Sequence, residues 1–490
     1  MIQQPPNGLD GLVVACRSQL PSVQLLTTAE DVKPYECDGL SCYRVQPGAV
    51  LLPANEREVA DTLQLCAAAE VPIVARGAGT GLSGGAMPHA DGVVLSLAKL
   101  SRILEIDPAS RTAVVQPGVR NLAISENVAY AGLYYAPDPS SQIACTIGGN
   151  VAENSGGVHC LKYGLTVHNV LRVRTVLIDG AIVELGADAL DAPGYDLLAL
   201  MIGSEGLLGI ATEITVKLMP KPQLARCAMA AFDDIVKAGA AVGGIIAAGI
   251  IPAGLEMMDK PATHAVESFV RAGYNLDAEA ILLVESDGTP EEVADEIALI
   301  EQVLREAGAV EIRVSSSEAE RLKFWAGRKA AFPAVGRISP DYYCIDGTIP
   351  RRALPRVLAS IEAMTQEFGL RCANVFHAGD GNLHPLILFD ANVPGELART
   401  EAFAAKILQL CIEVGGTITG EHGVGIEKID QMCVQFGTAE LERFLGVKAA
   451  FDPKGLLNPG KAVPTLHRCA EFGRMHVKTG HERFPELPRF

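Results

Sequence analysis

The segment RGAGTGLSGGA at 76–86 constrains the fold most, because five of the nine residues from 77 to 85 are glycine and both flanks read as strands. Before it, VLLP is a short strand, Asn55 caps a helix over 56–70, and Glu58 takes the third helical position. Val59, Leu63 and Cys66 share one face of that helix, and VPIVA at 71–75 then reads as a strand. Gly79, Gly81 and Gly84 satisfy GxGxxG, with Glu105 about 20 residues further on, where a ribose contact would stand. A nicotinamide-binding turn also needs its third glycine to open a helix facing the pyrophosphate. Here Gly85, Pro88 and Gly92 follow, and the next element, GVVLSL, is a strand. The Rossmann reading therefore fails, and what remains is a nest of backbone N–H groups whose natural guest is a diphosphate.

A second glycine-rich segment, TIGGNVAENSGG at 146–157, reads as another loop. Gly148, Gly149, Gly156 and Gly157 allow close backbone approach, while Thr146, Asn150 and Asn154 offer hydroxyl and amide partners to a planar polar ring. A tight turn explains either segment alone; the pair points to a ligand carrying both a diphosphate and a ring.

At 490 residues and 49% hydrophobic content the chain supports two or three domains. Forty-one Lys and Arg against 58 Asp and Glu give a net charge of −17, which argues against nucleic acid or an anionic membrane as principal partner. The N-terminus lacks a basic region followed by an apolar stretch, and no apolar run spans a bilayer, so secretion and membrane insertion are disfavoured. Twelve cysteines are scattered without CxxC, and they read as reduced thiols, mostly in the core; Cys37 and Cys42 form a lone Cx4C with no second pair.

Further strands are expected near 102–107 and 112–115, a helix from about 121, and strands in LRVRTVLIDG and ATEITVKL. Pro220 and Pro222 interrupt the pattern and mark a boundary. The division is an N-terminal segment (1–45), a ligand-binding domain (46–220), a second domain (221–440) and a C-terminal segment (441–490) that returns to the first. Beyond the boundary, RCAMAAFDD with a helix over 235–248, AILLVESDG with a helix over 291–307, and a unit through 351–367 read as an α+β layer whose sheet is covered on one face.

Three of the ten histidines fall close together: His377 and His384 in HAGDGNLH, and His422 in GEHG. His89, His168, His264, His467, His476 and His481 read as ordinary core or surface residues. Side chains seven apart on an uninterrupted strand face opposite ways, but Gly379, Asp380 and Gly381 can turn both imidazoles inward. With Glu421 they would make an open two-nitrogen, one-oxygen site for Zn²⁺ or another divalent ion.

Taken together, RGAGTGLSGGA, PGV at 117–119, PDPSS at 137–141, TIGGNVAENSGGVHCLKYG and GSEGLLGIATEITVKL resemble the FAD-linked oxidoreductases of the vanillyl-alcohol oxidase type. The resemblance runs from about Tyr35 onward. YECDGLS, FWAGRKAAFPAVGRISPDYYCIDGTIPRR and LHRCAEFGRMHV look most like the catalytic, FAD-bearing subunits of bacterial glycolate oxidases. It implies an α+β fold: a two-part FAD-binding domain plus a ferredoxin-like α+β substrate or cap domain carrying the metal site.

The resemblance also implies roles. Flavin contacts fall to Arg76, Gly77, Ala78, Gly79, Thr80, Gly81, Ser83 and Gly84, and to Pro137, Asp138 and Ser141. They continue through Thr146, Gly148, Gly149, Asn150, Ala152, Asn154 and Gly157 to Ile210 and Asn458. Thr80 and Gly81 stand where several relatives carry a flavin-linking histidine, so FAD would be held non-covalently. In the metal-dependent 2-hydroxy-acid dehydrogenases of the family, the residues matching His377, His384 and Glu421 hold a divalent ion, here Zn, Mn or Fe, and His422 inherits the role of base. Arg328 matches a carboxylate-binding arginine, and Tyr342 or Tyr343 would wall the pocket. Cys344 stands where relatives that prefer larger diacids carry lysine, which favours a small monoacid.

The implied activity is oxidation of glycolate, with D-lactate beside it, to the 2-oxo acid. Electrons would pass to FAD-binding-like and iron–sulfur partner subunits and on to the respiratory chain. The location would be cytoplasmic, or peripheral at the inner face of the cytoplasmic membrane through those partners. A stand-alone D-lactate or D-2-hydroxyglutarate dehydrogenase is the alternative enzyme. A non-catalytic FAD-binding scaffold would be expected to lack HAGDGNLH and GEHG, and both are present.

Overall fold

The computed structural model describes residues 7–189 and 193–471. The ends of the first and last segments, with His476 and His481, lie outside them. Strands β1 (Gln24–Leu26), β2 (Ala49–Leu52), β3 (Ile73–Arg76) and β4 (Val93–Ser96) form the first sheet in the order β1-β2-β4-β3. β4 runs parallel to both β2 and β3, so the sheet needs crossovers. The helix Glu56–Ala69 supplies one, its N-terminus held where Asn55 Oδ1 accepts the Glu58 N–H at 3.0 Å. The other, from β3 to β4, contains no helix, and it carries the glycine loop. The weakly patterned N-terminal segment contributes the helix Leu9–Gln19, whose Leu12 and Cys16 join the core under this sheet.

The next strands are β5 (Ile103–Asp107), β6 (Thr112–Val115), β7 (Leu133–Tyr134), β8 (Val170–Val176), β9 (Ile182–Gly186), β10 (Ile210–Lys217) and β11 (Met219–Pro220). Five of them make an antiparallel sheet in the order β5-β6-β10-β8-β9, while β7 pairs with β11. The second glycine-rich segment, expected as a loop, is instead the helix Ile147–Glu153. Gly148 serves close packing: a Cβ there would lie 2.5 Å from the Pro117 side chain and 2.9 Å from the Pro117 carbonyl. The chain turns only at Asn154, at φ 53°.

After Pro220, β12 (Leu224–Phe232), β13 (Gly254–Asp259), β14 (Ala280–Gly288), β15 (Glu311–Val314), β16 (Asp341–Cys344), β17 (Gly347–Thr348), β18 (Arg371–His377) and β19 (Asn382–Phe389) build an antiparallel sheet. Its order is β15-β12-β14-β13-β18-β19-β16, with β17 also on β19. The expectation of one covered face is corrected. The helices Ile235–Ala247, Pro290–Glu306, Leu354–Phe368 and Glu396–Glu413 pack with Phe232, Val284 and Phe376 on one face. Lys260–Val270, Glu318–Lys329 and Ala331–Val335 pack with Met229, Met258 and Val375 on the other. Strands buried on both faces read as continuous apolar runs, which hides the second layer from periodicity.

The expectation of twelve reduced thiols is corrected as well. Cys433 and Cys469, 36 residues apart, form a disulfide between the helices Ile429–Gln435 and Leu466–Glu471. The other ten are free, and all but Cys37 and Cys42 are buried. Past the last long helix, Thr438–Phe451, the chain returns to the first sheet, where Leu456 and Leu457 enter its core and Leu457 bridges Ile73. Among the described residues no helix is long and apolar enough to cross a membrane.

Candidate active site

One cavity of about 380 Å³ joins the glycine loop to the sheet built from β12 to β19. Arg76, Gly77, Ala78, Gly79, Thr80 and Gly81 line one wall, with Ser141, Thr146, Gly148, Gly149, Asn150, Ala152 and Ile210. Arg328, Lys329, Tyr342, His377, His384, Glu421 and His422 line the other. Tyr343, named with Tyr342 as a pocket wall, instead packs into the core on the far face of the sheet.

The glycine wall fits a bound FAD. Thr146 Oγ1 is buried without a hydrogen-bond partner, and a Cβ at Gly77 would come within 2.3 Å of it. Only glycine at 77 leaves that hydroxyl open. Ser83, Gly84, Pro137, Asp138, Asn154, Gly157 and Asn458 do not line the cavity, and several of them brace it. Asn458 Nδ2 donates to the carbonyls of Gly85 at 3.1 Å and Glu205 at 2.6 Å, and the Ser83 carbonyl accepts the Ile426 and Glu427 N–H groups. Asn154 Oδ1 accepts from the Val167 N–H, the Pro137 carbonyl accepts from Asn121 Nδ2, and Gly84 packs on Ile426. Gly157 lies against Asp138, whose carboxylate contacts His159.

Opposite, β18 ends on His377 and the turn through Gly381, at φ 86°, starts β19. Val375 pairs with His384 in that hairpin, and the two imidazoles meet edge to face with ring centres 5.0 Å apart. Glu421 Oε1 lies 3.3 Å from His377 Nε2 and 3.1 Å from His384 Nε2. One ligand atom from each of the three lies within 4.8 Å of the others. His384 Nε2 is buried without an aligned hydrogen bond, so this donor set fits a divalent ion.

The GEHG loop is held by charge. Asp346, fully buried after β16, accepts the backbone N–H groups of Gly420, Glu421 and His422 and the Thr419 hydroxyl. Burial works against its charge, but His422, Lys428 and His384 hold its carboxyl well below the usual range. From the other half of the molecule, Glu205 accepts the N–H groups of Val424 at 2.6 Å and Gly425 at 2.7 Å. His422 stacks on His384 with ring centres 4.9 Å apart. Burial pushes His422 down to about 4, against the pull of Asp346, so it is neutral at pH 7 and has a lone pair to receive a proton.

Arg328 is 1% exposed, so it is a buried arginine of the helix rather than one on its solvated face. Its Nε lies 2.8 Å from Glu256 Oε2, and Glu256 Oε1 lies 2.7 Å from His377 Nδ1. One carboxylate thus steers both the arginine and the histidine, and by occupying Nδ1 it leaves His377 Nε2 facing Glu421. Burial disfavours the charged imidazole, but Glu256 and Glu421 push His377 well above its usual range. Sequence reasoning missed Glu256 and Asp346. The available signal was an acid inside an apolar run, GLEMMD and YYCIDGT, where an unpaired charge would be costly. It also missed His159, which bridges Asp138 at 2.8 Å and Glu285 at 3.3 Å and so ties the two halves together.

The profile of an FAD binding domain matches residues 47–186, and that of the FAD linked oxidases, C-terminal domain, matches residues 221–462. Glycolate oxidase subunit GlcD of Escherichia coli strain K12 is 62% identical, covering 98% of this chain and 96% of that protein. The Bacillus subtilis subunit of the same name is 41% identical over 87% of this chain and 91% of its own. The fold is that of 4-ethylphenol oxidase from Gulosibacter chungangensis, solved as an isoeugenol complex, at a TM-score of 0.77 and 17% identity, covering 95% of this chain and 100% of that one. With both profiles matched in order and relatives this similar along nearly the whole chain, the protein belongs to the FAD-linked oxidase family and is an FAD-linked oxidoreductase.

Proposed function

We propose that this protein is the catalytic subunit of a glycolate oxidase, oxidising glycolate, and D-lactate beside it, to the 2-oxo acid. The observation that carries this reading is the shared cavity, in which the glycine wall faces His377, His384, Glu421 and His422. The names of the E. coli and B. subtilis relatives support the substrate and the place in a multi-subunit enzyme. FAD-binding-like and iron–sulfur partner subunits would carry the electrons onward.

Oxidation of a 2-hydroxy acid removes a proton from the hydroxyl and a hydride from the α-carbon, leaving a carbonyl. Bound FAD would supply the hydride acceptor, and a divalent ion held by His377, His384 and Glu421 would supply a Lewis acid toward the hydroxyl and carboxylate. Arg328, with Nε committed to Glu256, presents its remaining guanidinium N–H groups to the substrate carboxylate. Lys329 at the rim draws anions toward a chain that otherwise repels them. Neutral His422 accepts the hydroxyl proton. Asp346, by gripping three successive N–H groups of the loop, fixes where that ring stands.

Anaerobic mixing with glycolate is expected to bleach the oxidised flavin. A flavin that stays oxidised with glycolate and D-lactate contradicts the proposal. Lys329 is the one observation favouring a diacid, and a kcat/KM for D-2-hydroxyglutarate above that for glycolate would select that reading.

A further inference from the structure

We propose that Cys344, His384 and His422 form a second, inhibitory site for a thiophilic divalent ion such as Cd²⁺ or Zn²⁺. One ligand atom from each lies within 4.8 Å of the other two, a bound that His377, His384 and Glu421 also meet. Cys344 Sγ lies 3.9 Å from His384 Nδ1, and its other polar contact is the Ile345 carbonyl at 3.6 Å. His422 Nδ1 is buried without a partner. Cys344 is not part of the cavity wall, so an ion would reach it past His384 and His422, which are.

The two sets share His384 through opposite nitrogens: Nδ1 faces Cys344, while Nε2 lies 3.1 Å from Glu421. A neutral imidazole offers a single lone pair, so ions on the two sets exclude one another. Ligand chemistry then sorts them. A set of two imidazoles and a carboxylate accepts harder ions, whereas a thiolate with two imidazoles selects soft ones. As the sulfur–metal bond forms, the thiol proton leaves to solvent; the two imidazole nitrogens bind through their lone pairs in place of water lost from the ion, and no oxidation state changes. An ion seated there draws His384 from the first set and occupies the lone pair of His422. The ion site rests on the three side chains alone; its inhibitory effect rests on the roles proposed above for His384 and His422.

The test titrates Cd²⁺ into the holoenzyme while recording the ultraviolet thiolate-to-cadmium band and glycolate-dependent flavin reduction, for wild type and Cys344→Ser. The expected result is one equivalent of band in wild type and none in Cys344→Ser. The half-inhibiting Cd²⁺ concentration should rise about 10- to 100-fold in the variant, the scale on which loss of a supporting ligand shows. Equal bands and equal inhibition in both proteins, or no band in wild type, overturn the site. Should Cys344→Ser not fold, ¹¹³Cd NMR of wild type decides: a resonance in the sulfur-ligated range supports the site, and one confined to the nitrogen and oxygen range overturns it. A band and resonance with unimpaired flavin reduction would leave the ion site standing and overturn instead the roles given to His384 and His422.

Discussion

The two walls of the cavity are built on opposite principles. The glycine wall is made of backbone: residues 76–86 are contiguous, and its specificity lies in what is missing, since a Cβ at Gly77 or Gly148 would strike Thr146 or Pro117. The opposite wall is made of side chains that meet only after folding. His377 and His384 come from a hairpin, Glu421 and His422 from a loop, Arg328 from a helix and Glu256 from β13. Buried charges hold that wall in place, so removing one partner strands another. A backbone wall should fail by losing its ligand, and a side-chain wall by losing chemistry while the ligand stays.

The sharpest way to break this contrast is His422→Asn. It is expected to slow flavin reduction by glycolate about 10²- to 10⁴-fold in stopped-flow experiments, with FAD content unchanged. Loss of FAD from this variant would mean the walls are not separable. Glu256→Gln comes next: one amide cannot serve both His377 and Arg328 as the carboxylate does. Metal retention on dialysis should fall about 10- to 100-fold, and KM for glycolate should rise. Gly77→Ala tests the other wall and should lower the FAD-to-protein ratio of the purified enzyme while metal binding persists. A full flavin complement would show that the Thr146 hydroxyl is not needed.

The smallest effect concerns the tie between the halves. Burial disfavours a charged His159, but Asp138 and Glu285 raise its pKa to about 10, and the side chain is 24% exposed. The folded value lies above the unfolded one, so this contribution to stability is complete below about pH 6.5 and fades as pH rises toward 10. Thermal melts of wild type should decline across that window more than those of His159→Gln. Parallel declines would remove the bridge from the account.

What the sequence disclosed follows the same division. The glycine loop, its flanking strands and the helix capped by Asn55 were legible because local spacing determines them. His377, His384, Glu421 and His422 were legible as candidates because each pair lies on a short turn or loop. Glu256, 121 residues from His377, was not, since only the sheet order that sets β13 beside β18 brings them together. The second helical layer was hidden by strands that are apolar on both faces, and the Cys433–Cys469 disulfide by a spacing that matches no pattern. Residues 147–153 were misread because glycine signals a turn more often than a tightly packed helix.

The central claim is that one side-chain wall, metal ligands and base together, performs the oxidation over the backbone-held flavin. The direct measurement is the rate of anaerobic flavin bleaching by glycolate in enzyme stripped of divalent ions by chelation, and again after one equivalent is restored. The expected result is a stripped enzyme that keeps its FAD yet bleaches about 10²-fold slower or worse, with the rate recovered on restoration. Bleaching at the full rate in metal-free enzyme would contradict the claim.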